Sequence, residues 1–70
     1  MNTAILRERM TEKNIGVTEM SEAIGIGRKA FWSKCNGYTD FNRKEIARII
    51  ETLNLTNEDV EAIFFGPDVS

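Results

Sequence analysis

The chain contains no histidine. That removes the commonest general base and the commonest metal ligand. Its single cysteine, Cys35, cannot form an internal disulfide, and this usage fits a reducing compartment. No apolar run approaches the ~20 residues needed to span a bilayer, so no membrane association is expected. The first residues, Met1 to Glu8, lack the charged-then-apolar order of a secretory leader, and a cytoplasmic location follows as an expectation. No convincing strand pattern appears either, since the longest alternating candidates are broken by glycine or charge. The carboxylates show no ligand-like spacing. Without a catalytic constellation, no enzyme activity is expected, and neither a metal nor any other cofactor.

What remains is a short, ordinary-looking globular sequence. Its 70 residues are 41% hydrophobic and 29% charged. That length allows one domain, residues 1–70, with a thin margin of stability. The net charge is −2, but it is unevenly spread. From Arg28 to Arg48 there are six positive and two negative side chains, a net +4. From Ile49 to Ser70 there are five negative and no positive ones, a net −5. The middle can face phosphates while the tail faces away.

Helical punctuation accounts for nearly all of the chain, and the expected fold class is all-α with five helices. A first helix is expected over Thr3–Lys13, capped by Asn2 or Thr3, with Leu6 and Met10 inward beside Ile5 or Ala4. Asn14-Ile15-Gly16 then breaks it, with Ile15 free to tuck into the core. A second helix begins near Val17 and a third spans Arg28–Asn36, with Gly16 and Gly27 at their cap positions. Asn36-Gly37 ends the third. Asn42 and Glu45 have capping-box spacing for a fourth helix, with Phe41 and Ile46 as its staple and Ile46, Ile49, Ile50 and Leu53 as its inner stripe. Thr56 and Asp59 repeat the device for a fifth helix, with Leu55 facing Val60. Gly66-Pro67 should stop it, leaving a frayed end.

The most specific signal lies between Val17 and Asn36. Met20, Ser21, Ile24, Gly25, Ile26 and Phe31 fall in the order apolar, small, apolar, glycine, apolar, apolar. Ser21 lets two helices approach closely, Gly25 permits a left-handed turn, and the apolar residues lock the pair. This is the pattern of a helix-turn-helix, here formed by helices two and three, whose second helix is usually held out toward the DNA major groove.

Those residues, together with Asn36-Gly37, Phe41 and the run from Glu45-Ile46 to Leu53-Asn54-Leu55-Thr56, resemble the lambda-repressor/Cro-type (XRE) DNA-binding domain. The resemblance covers Leu6 to Phe65. The chain is similar to the small single-domain switch proteins of temperate phages. Some of these are Cro-like operator binders, and others are modulators of repression that bind the phage repressor. The implied partners are double-stranded operator DNA or a phage repressor protein, inside a bacterial host cell. Two departures from the family pattern stand out. Lys34 stands where an apolar residue is usual, with Cys35 expected to take the inner place, and Gly16 and Gly27 replace hydroxyl caps.

With Phe31 and Cys35 inward, the third helix should present Arg28, Lys29, Trp32 and Ser33. Arg28 suits a bidentate bond to guanine, and Lys29 a guanine edge or a phosphate. Ser33 is weakly selective. Trp32 is open to three placements: folded onto the core edge, pressed on a thymine methyl, or anchoring a protein contact. With a protein on the other side, Arg28, Lys29, Trp32 and Lys34 would form the surface. The resemblance places Thr39, Asn42, Arg43 and Lys44 at the phosphate backbone. Of Phe64 and Phe65, one should complete the core and the other lie exposed, available for a homodimer or partner contact. Tyr38 is expected to pack, and Cys35 to be a small core residue rather than a reactive thiol.

Overall fold

Three of the five helices start at a side-chain cap that their sequence supplies. In a computed structural model that describes residues 2–65, α1 spans Thr3–Glu12, α2 Val17–Ile24, α3 Arg28–Cys35, α4 Arg43–Leu53 and α5 Asn57–Val60. The all-α, five-helix expectation is met. Asn2 caps α1, and its side chain accepts from the Ile5 N–H at 3.3 Å. Asn42 and Glu45 form a reciprocal capping box on α4, and Thr56 and Asp59 form another on α5. Gly16 and Gly27 stand at the starts of α2 and α3 without a side-chain cap. The residues at Gly66-Pro67 and the frayed end lie outside the described residues.

The helix ends share one device. Asn14, Gly25, Gly37 and Asn54 each adopt positive φ, at 58°, 87°, 84° and 52°. In every case the N–H of the next residue reaches back across the final turn: Ile15 to Met10 O, Ile26 to Ser21 O, Tyr38 to Ser33 O and Leu55 to Ile50 O, at 2.9–3.1 Å. This is the Schellman closure, which normally carries an apolar residue at the second position past the helix. Ile15, Ile26 and Leu55 obey, and all three pack against the core.

That core draws on every part of the chain. Leu6 and Met10 come from α1, Met20 and Ile24 from α2, Phe31 and Cys35 from α3, and Ile49 and Leu53 from α4, with Phe41 from the loop before α4. Ser21 is buried, and its hydroxyl donates to Val17 O at 2.7 Å, so no polar group is orphaned where α2 is most enclosed. Ile46 and Ile50 are half-buried at the edge of the α4 stripe, and of the residues beside the α1 stripe Ile5 is half-buried and Ala4 exposed.

The fifth helix differs from its expected form. After Val60 it widens into a π-helical segment, Glu61–Phe65. The widened turn puts Ile63 into the core with no exposed surface. Phe64 packs at the core edge, and Phe65 is left 70% exposed. The carbonyl of Ile63 accepts from the N–H of Asn2 at 2.6 Å, which joins this segment to the start of α1. Arg9 of α1 reinforces the joint by donating from Nε to Asp59 Oδ1 at 3.1 Å. Among the described residues, no helix is long and apolar enough to cross a membrane.

Candidate nucleic-acid interface

Three residues, Gly25-Ile26-Gly27, separate α2 from α3, and the left-handed Gly25 prevents the two from running on as one helix. Phe31 and Cys35 anchor α3 on the core. At ~100° per residue, Lys29 and Ser33 then lie on the far side of α3, while Trp32 and Lys34 fall on its two flanks. Arg28 and Lys29 are exposed at its start, and Ser33 is half-buried.

The two flanks are both tied down. On one side Trp32 lies against α1, with the Arg7 guanidinium 5.7 Å from its ring centroid, inside cation–π range. It also walls a cleft of about 210 Å³ shared with Arg7, Met10, Ile15 and Val17. Even so, 41% of Trp32 stays exposed, which leaves part of its ring open to a partner. On the other side Lys34 Nζ donates to Glu45 Oε1 at 2.8 Å and to Asp40 O at 3.0 Å. Its side chain is only 16% exposed. Lys34 was expected among the contact residues of α3. Its ammonium is instead spent within the fold, because the neighbouring α4 presents a carboxylate that needs it.

That carboxylate explains itself locally. Glu45 is the third residue of α4 and accepts the Asn42 N–H at 2.9 Å. Burial pushes its pKa up, but the Lys34 hydrogen bond, the Asn42 N–H and the Lys34 charge outweigh this and hold it below the ordinary carboxylate range. The Lys34–Glu45 pair is therefore neutral overall, and it spans from the last turn of α3 to the first turn of α4. Phe31 and Phe41 pack ring to ring beneath it, with centroids 5.8 Å apart.

The start of α4 is left cationic. Arg43 and Lys44 are exposed, as are Thr39 and Asn42. Asn42 Oδ1 is engaged with the Glu45 N–H, but among the described residues the backbone N–H groups of Arg43 and Lys44 have no acceptor. Likewise, among the described residues none of Arg28, Lys29, Arg43, Lys44 and Arg48 lies within 4.0 Å of a carboxylate. Two free amides at a helix start and unpaired cations on both elements suit an anion. No family model, no curated protein and no solved structure matches this chain.

Tyr38 corrects the expectation that it packs. It occupies the position where the other three closures insert an apolar residue, yet it is 82% exposed. Its N–H completes the end of α3 while its ring stands free in the loop between α3 and α4. The signal was present in the sequence: an aromatic with a polar tip follows Asn36-Gly37, where Ile or Leu follows the other left-handed residues. Thr39 and Asn42 lie just beyond it, so Tyr38 joins the candidate surface. Among the described residues, no group of three or more metal-ligating side chains is gathered.

Proposed function

We propose that this chain is a helix-turn-helix transcription regulator of a lysis/lysogeny-like switch, binding operator DNA through α3. One observation carries this reading most directly. Arg28 and Lys29 are exposed at the start of a helix that Phe31 and Cys35 anchor on the core, Arg43 and Lys44 are exposed at the start of the next, and among the described residues none of the four is paired with a carboxylate. Arg28 then reads a guanine, with Lys29 and Ser33 beside it on the base edges. Arg43 and Lys44, with their two free amides, hold the phosphate backbone, and Thr39, Asn42 and Tyr38 flank it. Binding should weaken steeply with salt, since affinity comes largely from released counterions. In titrations of a duplex carrying the neighbouring promoter, Arg28→Ala should relax specificity, and Arg43→Ala should weaken all sequences alike. Operator affinity unchanged by Arg28→Ala would refute these roles.

A second reading is favoured by the acidic balance, with a net charge of −2 and a pI near 5.0. An acidic surface complements a basic DNA-reading helix. The chain would then be a modulator of repression that docks on the phage repressor, with the exposed part of Trp32 and the free ring of Tyr38 as anchors. Gel filtration at moderate salt with the promoter duplex, and separately with the repressor, distinguishes the two by which complex survives.

A further inference from the structure

Lys34 touches nothing in the DNA-bound arrangement proposed above, yet it is the most engaged side chain on α3. Its Nζ lies 5.8 Å from the Phe41 ring centroid. One carboxylate oxygen, Glu45 Oε1, receives both the Lys34 ammonium and the Asn42 N–H. An ionic contact therefore joins α3 to α4, and the Phe31–Phe41 ring contact joins α3 to the loop just before α4. Glu45 lies in the first turn of α4, beside the two free amides and next to Lys44. Its charge supports the cap but opposes any phosphate approaching that helix start. Lys34 cancels the charge and leaves no surplus of its own.

We infer that Lys34 is a positioning residue for nucleic-acid binding. It screens Glu45 from phosphate and locks α3 to the start of α4 as one surface, without itself touching DNA. This rests on the DNA-binding reading of the interface.

The full chain tests it with Lys34→Met, Glu45→Gln and the double variant. Methionine keeps the length and bulk of the side chain without its charge, and glutamine keeps an acceptor for the cap. Circular dichroism first confirms that each variant is folded. Fluorescence anisotropy then follows binding to the promoter duplex and to a random duplex over a range of salt. Lys34→Met should bind both about tenfold more weakly, because it bares Glu45. The double variant should recover to within about threefold of wild type and keep its salt slope, whereas Arg43→Met should lower that slope by about 0.9. Glu45→Gln alone should bind more tightly at low salt, an effect that a purely structural pair would not produce. Wild-type affinity in Lys34→Met overturns the inference. So does a double variant that stays weak with its slope lowered by about 0.9, which would mean that Lys34 touches a phosphate. If the wild-type chain shows no salt-dependent binding, the DNA reading falls and this role falls with it. The lock itself is judged separately in urea, where the two substitutions should be non-additive and strictly additive losses would overturn it.

Discussion

Gly25 sets the break between α2 and α3, and its replacement should be measurable in isolation. At φ 87° and ψ 29° it is left-handed, and a Cβ built there meets nothing within 4 Å. Gly25→Ala therefore adds backbone strain without a clash. A left-handed conformation costs an L-residue about 1–2 kcal/mol. Reduced freedom of the unfolded chain returns about 0.4–1 kcal/mol. The net loss should be about 1 kcal/mol, since the strain outweighs the entropy. Urea unfolding followed by the emission of Trp32, the chain's only tryptophan, would show it. With a slope of about 1–3 kcal/mol per molar for a small protein, the midpoint should fall by about 0.3–1 M. A rank order sharpens the test. Gly25→Asn should lose less, as Asn14 and Asn54 already close two helices left-handed. Gly25→Val should lose more, because a β-branched side chain is a true outlier at positive φ. Gly16→Ala is the control, with φ −87° and open space around it; a poorer cap costs about 0.5–1 kcal/mol and the unfolded chain's reduced freedom returns about 0.4–1 kcal/mol, so it should be close to neutral. If Gly16→Ala proved as damaging as Gly25→Ala, or Val as mild as Asn, the argument from left-handed strain would be refuted.

Two further outcomes follow from titratable groups. Glu45 is held below its ordinary value of 4.5 against the opposing effect of burial, and Asp59 below 3.8 chiefly by the Thr56 backbone N–H and then by Arg9. Both carboxyls are depressed in the fold, so their stabilisation is present above those ordinary values and lost as pH falls through the folded ones. Thermal melts should hold steady near neutrality and decline in acid, and Glu45→Gln or Asp59→Asn should start lower but decline less. Identical acid profiles for the variants and wild type would contradict this. Burial pushes the Cys35 thiol up from 9.0, with Arg7 opposing. It should alkylate at least about tenfold more slowly when folded than in urea at neutral pH, and equal rates would place it outside the core.

Features set by neighbouring residues were legible in the sequence. The Asn42/Glu45 and Thr56/Asp59 capping boxes, the turn at Gly25 and the inward pairs Leu6/Met10 and Phe31/Cys35 are matters of spacing within a turn or two. Features set by tertiary contact were not. Lys34 and Glu45 stand eleven residues apart on different helices, so their pairing depends on how α3 meets α4. The widened turn at Glu61–Phe65 is fitted to α1, from the opposite end of the chain, and so Ile63 escaped notice beside two phenylalanines. Trp32 falls on a flank of α3, and Arg7, which lies over its ring, belongs to α1, so their contact is not written in the spacing of either helix. Tyr38 was misread because its glycine turn marks where α3 ends, not which way the next ring points.

The backbone bond between Asn2 and Ile63 has a consequence for synthesis of the chain. The first helix gains its final support only from almost the last residue described. While Ile63 is still inside the ribosome tunnel, α1 has an incomplete core to lie on, and Leu6 and Met10 remain partly open to water. Native closure should thus wait until the C-terminal turn has emerged, and a nascent chain stopped before Ile63 should stay sensitive to protease along its whole length.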